Sequence, residues 1–207
     1  MKTKKTKRAD IDTVVINGIG AAGSNTFLHL LYAYPALNYM VVDFDKVEGR
    51  NVDPGTQPYT KVDLNRPKTQ ALQRIAKVLK NKRIEAINKK IGSTQELEDV
   101  SSNPEKTLYI DAFDNAESRN LFLSMKDRNV LHIGFSANLT GEAVWDGVYT
   151  AMEKAKSDDE IDVCEMAIAR PYIFALTAMA AIVIDRYLEK SEKVNLYFDS
   201  TLNIKKF

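Results

Sequence analysis

The chain predicts an α/β fold: a Rossmann-like, mostly parallel sheet with helices on both faces and antiparallel strands added in the C-terminal part. Three observations carry this. Short β-branched apolar runs alternate with stretches of helical periodicity, the order that builds parallel sheets. A glycine-rich turn, Gly18-Ile-Gly-Ala-Ala-Gly23, joins the first such run to the first helix. The last third loses the alternation and keeps one long apolar helix between strand-like segments.

The elements follow in order. Residues 12–17 (DTVVIN) read as a buried strand, and 22–34 as a helix packing Phe27, Leu28, Leu30 and Leu31. Residues 39–43 (YMVVD) form a second strand, followed by a long polar segment from Phe44 to Asn65. Pro67 sits at the first turn of a helix, with Leu72, Ile75, Ala76 and Leu79 as its apolar stripe. Strands are expected at 83–88, 107–111 and 129–134, with a helix over 115–126. Residues 142–150 (EAVWDGVYT) read as an exposed or antiparallel strand, and the charged EKAKSDDEID as a loop. A core helix spans about 170–189, and 194–200 is the final edge strand.

Bulk properties bound the class. The 207 residues suit one domain over 11–207 behind a basic, flexible tail at 1–10. Hydrophobic content of 44% and charged content of 28% are those of a globular protein able to bury a core. Net charge is +1, but Lys2, Lys4, Lys5, Lys7 and Arg8 crowd the start, and the remainder is slightly acidic. Nucleic acid is not expected as a partner, because the tail reads as a solvated terminus. The single cysteine, Cys164, cannot form an internal disulfide, which suits a reducing, cytoplasmic setting. No signal-peptide pattern is visible. The apolar run 172–184 falls short of the ~20 residues of a membrane span, so no membrane is expected.

The chemistry starts at the glycine turn. Gly18 permits the tight turn, Gly20 lets a phosphate approach the backbone, and Gly23 lets helix pack on strand. The helix start then offers unpaired N–H groups to an anion. Asp43 ends the second strand, 20 residues after Gly23, where a carboxylate can accept from ribose hydroxyls. NAD-binding and ATP-binding folds share these features, so both stay open here. Asp45, Val47, Glu48 and Asn51 follow, then Lys68 just inside a helix start, where a cation is unfavourable unless an anion lies between. Asp111 and Asp114 flank the end of another parallel strand. Asp114 is a plausible N-cap; beside a polyphosphate it would instead hold Mg²⁺, which favours one or two carboxylates plus phosphate oxygens.

The sequence GxGxxGS, then DxDxVxxxN, then PK, then DxxDN…R resembles the ThiF/MoeB/HesA superfamily of ubiquitin-activating-enzyme-like adenylyltransferases, over about residues 12–190. The resemblance implies that ATP lies on Gly18, Gly20 and Gly23, that Asp43 and Asp45 stand by the ribose, that Asn51 and Lys68 reach the phosphates, and that Asp114 binds Mg²⁺. It implies adenylation of the C-terminal carboxylate of a small ubiquitin-like or sulfur-carrier protein by a homodimer. Lys68 and Asp114 carry the catalytic expectation, with Cys164 as the candidate for thioester or related transfer. The chain departs from the family where NVDPGTQP places Pro54 at an expected arginine; Gln57 is offset, and Arg50 or Arg66 are the nearby cations. Arg8 is the only candidate for an arginine sent into a partner subunit. Paired CxxC motifs are absent, so no zinc is expected. His29 and His132 lie in apolar runs and read as packed residues.

Two alternatives stand beside the adenylyltransferase: a degenerate, non-catalytic member that binds a nucleotide or partner, and an NAD-binding oxidoreductase. The last ranks lowest, because no His–Asp or Tyr–Lys pair stands out and little chain is left for a substrate domain.

Overall fold

The structure is a computed structural model and describes residues 8–53, 55–125, 127–136, 138–146 and 167–206. Cys164, Pro54, the start of the basic tail and the EKAKSDDEID segment lie outside the described residues. Among those described, eight strands form one sheet: β1 Thr13–Asn17, β2 Asn38–Val42, β3 Glu85–Ile87, β4 Thr107–Asp111, β5 Asn129–Phe135, β6 Gly141–Trp145, β7 Leu196–Phe198 and β8 Ile204–Lys206. Their order is β3-β2-β1-β4-β5-β6-β7-β8. The first five run parallel. The last three pair antiparallel, β6 on β5, β7 on β6 and β8 on β7.

The helices are α1 Ala21–Ala33, the single turn α2 Gly49–Val52, α3 Lys68–Lys80, α4 Thr94–Asp99, α5 Ala116–Asn120 and α6 Arg170–Lys190. The strands alternate between two faces, as parallel strands covered on both sides must. Val14 and Ile16 of β1 and Leu108 and Ile110 of β4 join the larger core with Phe27, Leu72 and Leu176 from α1, α3 and α6. Val15, Tyr109 and Val130 face the other way, onto Leu97 of α4 and Phe122. The chain leaves β3 and crosses to the far side of β1, so β1 and β4 flank the point where strand order reverses. Ligands of open α/β sheets bind at the carboxyl ends beside that point.

Several expectations change. The helix expected over 115–126 stops at Asn120 and continues as a 3-10 turn, Leu121–Ser124, which buries Phe122. Asp114 is not the N-cap: the Asn115 side chain accepts the Ser118 N–H at 2.9 Å. Pro67 caps α3 rather than starting it, and the apolar stripe ends at Ala76, with Leu79 44% exposed. Of the two forms expected for 142–150, β6 takes the antiparallel one and not the exposed one; Ala143, Val144 and Trp145 are buried between β5 and β7. Segment 194–200 does not form the edge, because Asp199 accepts N–H groups from Thr201 and Asn203 and turns the chain back as β8. Helix α6 is long and apolar enough to cross a membrane, but half of its most apolar window is buried, with Ile173, Leu176, Val183 and Ile184 in the core.

Candidate active site

The glycine turn opens at the carboxyl end of β1. Gly18 has φ +80°, and a Cβ there would stand 2.7 Å from the Ala112 carbonyl oxygen, so the turn and the β4 loop pass in contact. Gly23 serves packing rather than the cleft: a Cβ would lie 1.9 Å from the Gly18 carbonyl oxygen. Gly20 is the N-cap of α1, makes no side-chain cap and faces open space. No acidic residue sits in the first turn of α1, so its positive end is left to solvent or an anion. Tyr59 O–H donates to the Ile19 carbonyl at 2.7 Å, and Asn25 Nδ2 to the Thr56 carbonyl at 2.7 Å, tying the 55–60 loop to the turn.

Asp43 follows β2 directly. Its Oδ2 accepts the Ile19 N–H at 2.9 Å and its Oδ1 the Asp45 N–H at 2.8 Å. These bonds aim the carboxylate over the glycine turn. Burial raises its pKa above the ordinary carboxylate value, against the pull of Lys68 and the two N–H donors. Asp45 and Lys68 are joined twice: the Lys68 N–H donates to the Asp45 carbonyl at 2.9 Å, and Lys68 Nζ reaches Asp45 Oδ2 at 2.9 Å. The anion that Lys68 implied is thus, in this state, Asp45.

Helix α2 is a single turn held by its own ends. The Asn51 side chain accepts the Glu48 N–H at 2.8 Å while the Glu48 side chain accepts from the Asn51 backbone. Arg50 Nε donates to Glu48 at 2.6 Å. Arg50 lines the cleft; Arg66 is exposed elsewhere.

At the end of β4, Asp111 turns inward rather than to the ligand edge. Fully buried, it meets His132 Nδ1 at 2.8 Å and lies 3.6 Å from Arg119 Nε. His132 Nε2 faces Asp146 at 3.3 Å. His132 is thus fully buried, as expected, whereas His29 is only part-buried and meets Asp185 at 3.3 Å. Arg119 Nη1 donates to the carbonyls of Phe113 and Ile133 at 3.1 and 3.2 Å, fastening the loop that presents Asp114. Asp114 is exposed, and its carboxylate accepts from Asn115 Nδ2 at 3.3 Å.

One cleft of about 640 Å³ collects these groups: Gly18, Gly20, Asp43, Asp45, Asn51, Gln57, Lys68 and Asp114 all line it, and Gly23 does not. The Gln57 amide oxygen is buried there without a hydrogen-bond partner. The cleft continues past Asp114 along Phe135, Glu142 and Tyr197, over the antiparallel strands. Among the described residues no group of three or more His, Cys, Asp or Glu could hold a metal, so Asp114 fits Mg²⁺ only in the one-carboxylate mode that a nucleotide's phosphates complete.

The ThiF family model matches residues 2–181. The chain belongs to the ThiF family. No curated protein matches it. Among solved structures, E. coli MccB with MccA-N7isoASN is similar at 16% identity and TM-score 0.70, over 96% of this ThiF-family chain and 64% of MccB. E. coli MccB with ATP gives 16% identity and TM-score 0.69 over 96% of this chain and 64% of that one. PaaA gives 14% identity and TM-score 0.69, over 97% and 64%. The chain thus spans about two thirds of the length of these structures, and at this identity the likeness shows the fold.

Sequence reasoning left Arg119, Phe44, Glu142 and Tyr197 without a place in the cleft they line. Arg119 stood in the DN…R motif, and Phe44 lies between Asp43 and Asp45; Glu142 and Tyr197 carry no signal, because the sheet's topology alone brings β6 and β7 beside the glycine turn.

Proposed function

We propose that this ThiF-family protein binds ATP with Mg²⁺ and adenylates the C-terminal carboxylate of a peptide or small carrier protein. The observation that carries the reading is the single cleft in which the uncapped start of α1, Asp43, Lys68 and Asp114 meet and which continues over β5, β6 and β7. MccB has been solved both with ATP and with N-formylated MccA, which supports a nucleotide and a peptide in such a site.

In this reading Gly18, Gly20 and the first N–H groups of α1 hold phosphate oxygens, Asp43 accepts from the ribose, and Asn51, Gln57 and Lys68 surround the phosphates. Asp114 would hold Mg²⁺, which supplies charge neutralisation between phosphate oxygens. The substrate carboxylate enters from the Phe135–Tyr197 side. Its oxygen forms a bond to the α-phosphorus, the bond to the bridging oxygen of the β-phosphate breaks, and pyrophosphate leaves with that electron pair. A carboxylate is already deprotonated, so no general base is needed, which agrees with both histidines lying outside the lining. Positioning and charge carry the catalysis. Cys164 would then attack the acyl carbon as thiolate, releasing AMP and leaving a thioester. A ubiquitin-like or sulfur-carrier protein is the substrate class, and a homodimer the working form; sedimentation velocity tests the latter.

The test is ATP–pyrophosphate exchange with peptides and carrier proteins bearing free C-terminal carboxylates. Exchange that appears only with such a substrate supports the reading; ATP binding with no exchange for any tail favours the second one, a non-catalytic binder, which the missing arginine at position 54 motivates.

A further inference from the structure

The half of the cleft over the antiparallel strands differs chemically from the half over the glycine turn. Past Arg119 the described lining runs through Phe135, Ser136, Thr140, Glu142 and Tyr197, and Glu142 is the charged side chain among them. Register puts it there. Strand β6 runs antiparallel to β5, so its first residues stand at the carboxyl end of the parallel strands. Glu142 pairs with Gly134 on one side and with Tyr197 on the other, and directly paired residues share a face of the sheet. A Cβ on Gly134 would come within 3.2 Å of Glu142 Oε1 and 3.1 Å of Arg119 Nη1, so the bare backbone of Gly134 is the floor on which both charged groups lie. Among the described residues the cation nearest the Glu142 carboxylate is Arg119, at 3.7 Å, beyond hydrogen-bond distance. Arg119 is 3% exposed and also 3.6 Å from the fully buried Asp111, so one guanidinium serves two carboxylates. The Glu142 side chain stays 37% exposed.

We propose that Glu142 is a specificity-determining residue: it binds a lysine or arginine side chain carried within the last four residues of the tail whose carboxylate is adenylated. A carboxylate on the path of another carboxylate repels it unless a cation comes between them. Arg119 is already divided between Asp111 and Glu142, so the substrate brings that cation. Tyr197, the cross-strand neighbour of Glu142, adds an aromatic ring, a second group that attracts an ammonium or a guanidinium. Sheet order sets the distance. Strand β6 is the third strand from β1, on the side of β4 and β5. At the usual strand spacing this places Glu142 about 14 Å from the glycine turn. About four extended residues span that length. A tail with an acidic residue at the same place meets Glu142 with like charge and is disfavoured.

The inference rests on the adenylation reading and is tested so that the two fail separately. ATP–pyrophosphate exchange by the full chain is measured with hexapeptides of alanine and glycine that carry lysine, norleucine or glutamate at each of the three positions before the C-terminal residue. At one of those positions lysine should exceed norleucine about fivefold and glutamate about thirtyfold in kcat/KM, with the difference carried by KM. Glu142→Gln should bring the three tails to within about twofold of one another, and Glu142→Asp should keep lysine ahead. The tails are compared within one variant, so a loss of folded protein scales all of them alike and leaves the ratios intact. Wild type that takes lysine and glutamate tails equally, or a lysine preference that survives Glu142→Gln, overturns the role of Glu142 and leaves adenylation standing. Exchange with carrier proteins but with no hexapeptide also overturns it, because recognition then lies outside the last four residues. Exchange with neither overturns the adenylation reading and this inference with it.

Discussion

Lys68 and Asp45 bind each other through both backbone and side chain, at 2.9 Å each, so the ammonium that faces the cleft is held in place before any ligand arrives. The backbone bond survives any substitution at Lys68; the charge does not. Lys68→Ala should therefore reduce ATP–pyrophosphate exchange about a hundredfold, the scale of one lost electrostatic partner in a transition state. Asp45 is half exposed, so stability should change by no more than about 1 kcal/mol. Initial rates of exchange and urea denaturation, measured on one preparation, check both halves; exchange at the wild-type rate removes Lys68 from the chemistry.

The three glycines of the turn have separable roles. Gly20 faces open space, so Gly20→Ala should fold at a cost of at most about 1 kcal/mol. Its methyl group would occupy the phosphate approach and weaken ATP binding roughly tenfold. Gly23→Ala drives a Cβ to 1.9 Å from the Gly18 carbonyl oxygen and should cost upwards of about 3 kcal/mol. Thermal unfolding and ATP titration on the pair give opposite patterns; two variants that behave alike refute the division of roles.

Buried His132 should make stability depend on pH. Burial, the largest influence, opposes its charge, but the hydrogen bonds to Asp111 and Asp146 and the charge of Asp111 outweigh it, even beside Arg119, and the pKa rises above 6.5. A raised histidine pKa contributes stability that is fully present below the ordinary value of 6.5 and is lost as pH climbs through the folded-state value. The melting temperature should thus fall as pH is raised from about 6.5 into the alkaline range. His132→Asn should flatten that slope and cost roughly 2–4 kcal/mol, because Asp111 keeps Arg119 but loses its 2.8 Å partner. A slope unchanged in the variant assigns the pH dependence elsewhere.

Much of the parallel half could be read from the sequence because each of its features is local. Val14–Ile16 and Leu108–Ile110 are apolar runs bounded by turns, and a strand buried on both faces needs nothing more to be seen. The glycine turn, Asp43 and Lys68 lie at fixed distances from those runs. The antiparallel half was less legible. Asp199 makes β8 out of an exposed Ile-Lys-Lys segment with no apolar alternation, and it does so through side-chain bonds to backbone two and four residues away. Helix α2 was hidden for the same reason: a four-residue helix has no periodicity, and only the Glu48–Asn51 pair marks it. Asp111 shows the opposite failure. Its place at a strand end suggested the ligand edge, but His132 on the neighbouring strand β5, 21 residues on, and Arg119 on α5, within the same DxxDN…R motif, draw it into the interior.

Asp114 is the remaining carboxylate at that strand end and the one left facing the cleft, with a single 3.3 Å contact to Asn115. Removing its charge without its shape isolates its role. Asp114→Asn keeps the side-chain volume and the neighbouring N-cap, which belongs to Asn115, so the melting temperature should stay within a few degrees, less than about 1 kcal/mol. If the carboxylate meets Mg²⁺ bridged to phosphate, exchange should fall at least about a hundredfold and the Mg²⁺ concentration for half-maximal rate should rise in the residual activity. Binding of AMP, which lacks the outer phosphates, should be nearly unchanged. A variant with lowered exchange but an unaltered Mg²⁺ dependence would place Asp114 against the substrate instead of the ion, and a variant with wild-type exchange would remove it from the site.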